Sequence, residues 1–135
     1  MRRIEGNARP HGPADPANFV LPARMQRLLG RDDGEAVRLY RVTFEPGART
    51  NWHTHDAEQI LFGLSGRCVV VDRAGATLAL EPGDVVVIDA HEEHWHGAAP
   101  GGGGEHLAIN IGAETVWLES SADEGAGGRP RDLES

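Results

Sequence analysis

Between positions 53 and 106, His53, His55, Gln59, His94, His96 and His106 carry side chains whose type and spacing suit metal or proton chemistry. In the stretch "NWHTHDAEQ", His53 and His55 stand one residue apart. That is the period of a strand, so both side chains leave the same face. In "HWH", His94 and His96 share a face and Trp95 takes the other. In "EHLAIN", His106, Ala108 and Asn110 share a face, opposed by Leu107, Ile109 and Ile111. In "QILFGL", Gln59, Leu61 and Gly63 oppose Ile60, Phe62 and Leu64. Imidazole nitrogen suits Zn, Mn, Fe, Ni or Cu, and several such ligands on one centre make a high-affinity site. The expectation is one metal ion held by residues on separate strands.

The elements that must position these residues are short. Segments such as "VRLYRVTF", "RCVVVDR", "ATLALE" and "DVVVID" are rich in β-branched residues, evenly spaced and cut by turns, with no helical period. This pattern predicts an all-β sandwich or barrel. Polar and small residues gather on one face of the histidine strands, which favours a barrel with a lined cavity. Two Glu-Pro-Gly turns, in "FEPGA" and "LEPGD", each precede a segment that ends in histidines. Pro and Gly there match the second and third positions of a type II turn. They suggest two similar strand pairs delivering ligands to one centre. "ARMQRLLG" reads as a possible helical turn. Residues 1–17 and 120–135 are rich in Pro, Gly and charge. Both are expected to be loosely held around one domain over 18–119.

The bulk composition narrows the function classes. A chain of 135 residues suits one domain. A net charge of -8 argues against a nucleic-acid surface or an anionic membrane. The single Cys68 cannot form an internal disulfide, which points to a reducing compartment. No apolar run approaches the roughly 20 residues of a membrane span, and the first residues have no signal-peptide core. A cytoplasmic protein that acts on a small molecule is the expectation.

The motifs carry a resemblance. Gly47, His53, His55 and Gly66 fit the first motif of the cupin superfamily, with Gln59 where that family usually has Glu. Gly83 and His94 fit the second motif; Asp89, His91 and Ala98 replace its Pro, Gly and Asn. The chain thus resembles small cupins, which implies a double-stranded β-helix, or jelly-roll barrel. Together "VTFEPGARTNWHTH", Gln59, "PGDVV", "HWHGAAP" and "HLAI" also look like the bacterial manganese-dependent cupin hydroxynitrile lyases. That narrower resemblance implies metal ligation by His53, His55, Gln59 and His94. It implies acid–base roles for His96 and His106, and a pocket wall containing Tyr40, Val42 and Asn110. Tyr40 and Asn110 differ from the small residue and the Gln of those lyases. Leu61 and Ala108, on the faces of Gln59 and His106, join the expected wall.

A neutral Gln ligand leaves the ion its full charge, which favours Lewis-acid work on a carbonyl, an alkoxide or cyanide. The leading expectation is a lyase using one divalent metal, Mn first, with Fe, Zn or Ni as alternatives. His106 is expected as general base, because Ala108 beside it leaves room for substrate, with His96 as its partner. A cupin dioxygenase and a metal-dependent ligand-binding or sensor protein are the competing readings. His91 is expected on the surface at positive φ, and Trp52, Trp95 and Trp117 in packing. Cys68 is expected to be buried, and "PGGGG" to be a hairpin loop. A homodimer is expected, formed through apolar strand faces (Phe62, Leu64, Ile109, Ile111) or by exchange of the 19–29 segment.

Overall fold

The structure, a computed structural model, describes residues 1–123. Thirteen strands follow in chain order. They are β1 (His11–Pro13), β2 (Phe19–Val20), β3 (Ala23–Leu29), β4 (Arg38–Phe44), β5 (Arg49–Thr50), β6 (His53–His55) and β7 (Gln59–Gly66). Then come β8 (Cys68–Asp72), β9 (Thr77–Leu80), β10 (Val85–Ile88), β11 (His94–Ala98), β12 (Gly104–Asn110) and β13 (Thr115–Trp117). One antiparallel sheet has the order β1-β3-β4-β12-β7-β10. In the other, β11 is central: β8 and then β9 pair outward from it, while β5 and β6 also pair with it and carry β2 and β13. The all-β expectation holds. Among the described residues the helical elements are two 3₁₀ turns, and no helix is long and apolar enough to cross a membrane.

The turns do what their chemistry dictates. Gly47 and Gly83 take φ of 74° and 90°, which a residue with a Cβ adopts only with strain. Gly97, next to His96, serves a different purpose. A Cβ there would stand 2.2 Å from the Ala48 carbonyl oxygen, so its absence lets β5 close against β11.

Three buried apolar clusters support the polar interior, one of them formed by Ala14, Ala23, Val42, Phe44, Ala48 and Ala98. Leu61, Cys68, Val70, Leu80, Val86 and Ile88 form another between the sheets. Full burial of a residue such as Leu61 contributes about 1.5–3 kcal/mol. Trp52, Trp95, Val69 and Val71 form the third on the reverse of the β8–β11 pair. The Arg73 guanidinium covers the Trp52 ring at 3.9 Å. Cys68 is buried, and burial pushes its thiol up to about 12. On the outer face of the first sheet, exposed Val85 and Val87 lie across from half-buried Phe62 and Ile60.

One expectation changes. "ARMQRLLG" is strand β3, paired with β1 on one side and β4 on the other. Hydrogen bonding on both edges outweighs a weak local helical preference. The first 17 residues make specific contacts with the sheets. His11 pairs with Gln26 across β1 and β3, and the Gln26 amide donates to the Gly6 and Arg9 carbonyls, both at 2.8 Å. Arg9 meets Asp33 at 2.8 Å. The segment satisfies a sheet edge whose backbone groups need partners, a need that composition does not reveal. At the other end, buried Ser121 donates to the Thr50 carbonyl at 2.6 Å. The tail from 124 onward lies outside the described residues.

Candidate metal centre

Strand pairing converts sequence spacing into convergence. His53 on β6 and His94 on β11 are directly opposed, with ring centroids 4.2 Å apart. His55 lies two residues along β6, its ring 5.0 Å from that of His53 and 5.6 Å from that of His94. Gln59 opens β7 opposite Asn110 of β12. All five side chains are buried. Among the described residues, His53, His94 and His96 bring ligand atoms within 4.8 Å of one another.

The hydrogen bonds set the direction of each donor. His53 Nδ1 is 2.9 Å from the Asn51 carbonyl, and His94 Nδ1 is 2.8 Å from the Glu92 carbonyl. A carbonyl only accepts, so each Nδ1 carries the hydrogen and each Nε2 keeps its lone pair. His55 Nδ1 pairs with Thr115 Oγ1 at 3.1 Å, and its buried Nε2 has no partner. The Gln59 amide donates to Asn110 Oδ1 at 2.7 Å, leaving its oxygen 3.1 Å from His94 Nε2. Two acceptors thus face each other, an arrangement that asks for a cation. About 3 Å is also the spacing of neighbouring ligands at right angles around an ion held at roughly 2.1 Å. The outward ties are the kind that orient metal-binding imidazoles. The donor set fits a divalent transition metal.

Burial keeps these rings neutral. Loss of solvent pushes His55, His94 and His106 down to about 4, with the neighbouring His94 and Arg38 adding to the effect on His55. His53 and His96 lie well below the ordinary value of 6.5 for the same first cause. A neutral imidazole is the form that binds metal. The shifts also set the acid limb of stability for the metal-free fold. The unfolded chain binds these protons near pH 6.5, whereas the folded chain resists them until about pH 4. Stability is therefore fully present above pH 6.5 and lost as pH falls toward 4. Melts of chelator-treated protein should show Tm falling steadily across that window. A flat Tm there would contradict the burial of neutral histidines.

A cavity of about 380 Å³ opens beside the centre. Of the expected wall residues, Tyr40, Val42, Ala108 and Asn110 line it, as do His53, His55, Gln59 and His96. Leu61 does not; it is fully buried in the apolar cluster, because the cavity ends before that layer of β7. His96 reaches the cavity, whereas His106 stands behind it, with Nε2 3.0 Å from His96 Nδ1. Trp117, expected in packing, is on the cavity wall, its ring 4.7 Å from that of His53. Trp52 and Trp95 are packed as expected. His91 is exposed at φ 66°.

Arg38 also lines the cavity, and reasoning from the histidines missed it. The signal was present in "VRLYRVTF", where Arg38 shares the parity of Tyr40 and Val42. No such signal marked Trp117, because β13 is too short to show a period.

Comparisons with known proteins agree with this architecture. The family model described as Cupin domain matches residues 40–112. The (R)-mandelonitrile lyase of Granulicella tundricola is 40% identical over 127 residues, covering 92% of this chain and 95% of that protein. A cupin-like protein from Thermotoga maritima superposes with a TM-score of 0.77 at 34% identity, covering 82% of this chain and 86% of the other. The polyketide cyclase RemF from Streptomyces resistomycificus has a TM-score of 0.68 at 20% identity, covering 91% and 89%, a likeness of fold alone. A jelly-roll of two antiparallel sheets, a family match over more than half its length and a close full-length relative make this chain a member of the cupin family.

Proposed function

We propose that the protein is a metal-dependent hydroxynitrile lyase, cleaving a cyanohydrin into a carbonyl compound and hydrogen cyanide. The observation that carries this reading is the facing pair of acceptors, His94 Nε2 and Gln59 Oε1, set in a neutral donor cluster beside a cavity. The full-length likeness to a mandelonitrile lyase supports it. His53, His55, Gln59 and His94 would hold one divalent ion, with manganese proposed first. A bound ion supplies Lewis acidity, stabilising negative charge on oxygen or cyanide.

The chain's own residues handle the proton. His96 lines the cavity, its buried Nε2 has no partner, and in this reading that nitrogen takes the hydroxyl proton of the substrate. The carbon–oxygen double bond forms as the bond to the nitrile carbon breaks, and the electron pair leaves with cyanide. His96 then returns the proton, so hydrogen cyanide departs and the ring is neutral again. In this reading His96 Nδ1 carries the hydrogen toward His106 Nε2, 3.0 Å away, which leaves the His96 Nε2 lone pair to take the proton. The roles of the two histidines are thereby exchanged relative to the sequence-based expectation, since His96 is the one at the cavity.

The test is a panel of aliphatic and aromatic cyanohydrins, with cyanide release measured for protein purified without added metal, after its metal content is determined. About one ion per chain is expected, with release that stops on chelation and returns with the metal. Full occupancy without cyanide release from any cyanohydrin would reject the lyase reading. Oxygen consumption with enols or diketones would move the assignment to a dioxygenase.

A further inference from the structure

Arg38 is a cation facing inward in a barrel where the candidate ligands are all neutral. It begins β4 opposite Asn110, the residue that holds Gln59. Its Nη2 donates to the Gly112 carbonyl at 3.0 Å. Its Nε is buried without a hydrogen-bond partner. Among the described residues no carboxylate lies within ion-pair distance of it, although seven other arginines form ion pairs. The Asp56 carboxylate interacts with Arg38 by charge, beyond ion-pair distance, while it accepts the Ala113 and Glu114 backbone N–H groups at 3.3 and 3.1 Å. The acidic residue on the cavity wall, Asp15, is exposed and takes the Ala17 N–H at 2.9 Å.

Asp56 offsets part of the charge but gives no hydrogen bond, and a buried N–H left unused is costly unless an acceptor meets it. The cost rises beside a divalent ion whose ligands bring no compensating charge. A planar fork of donors matches a carboxylate in particular. The remaining wall supplies Phe19, Met25 and Trp117 for an apolar body.

We propose that Arg38 is a specificity-determining residue, and that the preferred substrate carries a carboxylate that docks on its guanidinium while the carbonyl end lies at the histidines. This deepens the lyase reading and rests on the cavity being the substrate site. The expected substrates are oxo acids and their cyanohydrins rather than neutral aldehydes.

The test compares oxo acids of increasing chain length with their neutral carboxamides. Binding is measured by calorimetry on metal-free and metal-loaded protein, and cyanohydrin turnover is followed separately. At the best chain length the carboxylate should bind about 10–100-fold more tightly than its amide, the range of a charge-assisted hydrogen bond. Arg38→Gln should abolish that preference in both protein forms while metal stoichiometry stays unchanged, and Arg38→Lys should restore part of it. A merely structural role for Arg38 would weaken acid and amide alike. Equal binding of acid and amide by the wild type, or a preference that survives in Arg38→Gln, overturns the proposal. The lyase reading is judged apart from it. Preferential binding without cyanide chemistry would leave the Arg38 site standing, and turnover of neutral aldehydes without acid preference would leave only the lyase.

Discussion

His94→Ala is expected to empty the metal centre. Metal content should fall from about one ion per chain to background, and every metal-dependent activity should fall with it. The reason is position: His94 stands opposite His53, and its Nε2 is 3.1 Å from the Gln59 oxygen. It belongs both to the cluster of His53, His94 and His96 and to the proposed set of His53, His55, Gln59 and His94. Losing only an outer partner of a ligand typically costs about 10–100-fold in metal affinity, and loss of a ligand should exceed that. Elemental analysis gives the measurement, with far-UV circular dichroism to verify that the sheets persist. A folded variant that still holds stoichiometric metal would refute both ligand sets at once.

His96→Ala separates the two sets. If His96 acts on the proton rather than the ion, the variant should keep its metal and lose turnover by about 10²–10⁴-fold. Metal loss comparable to that of His94→Ala would instead make His96 a ligand. Convergence with His53 and His94 makes His96 a candidate ligand, but the outer hydrogen bonds favour the first outcome. His53 and His94 each have Nδ1 tied to a backbone carbonyl, and His55 to a hydroxyl, whereas His96 Nδ1 is tied to a second imidazole, His106. An imidazole pair suits proton handling, because the outer ring stabilises the charge that the inner ring acquires. The experiment pairs metal content with kcat, since either measurement alone would leave the role ambiguous.

Parity along each strand is legible in the amino-acid order alone. A period of two assigns faces without knowledge of neighbours, so the shared faces of His53 with His55 and His94 with His96 follow from spacing. Cupin motif spacing then points to the fold, because the same glycines and histidines that turn or bind also mark the strand ends. Arg38 is equally legible by parity, although its charge sets it apart from the neutral donors around it. Other features have no local signal. Residues 11–13 look like a polar arm, and only the open edge of β3 makes them a strand. Leu61 has the parity of Gln59, yet it lies one layer deeper, in the apolar cluster.

By itself the sequence determined which residues face inward, which turns are tight, and that several neutral nitrogen and oxygen donors belong to one barrel. These properties depend on side-chain type and on a fixed backbone period. Only the tertiary structure decided depth and order. It put His96 at the cavity with His106 behind it, turned the Gln59 oxygen toward His94 through Asn110, and left the Arg38 Nε without a partner. Those relations join strands far apart in the chain, and their distances follow from register and sheet closure, which no single strand encodes.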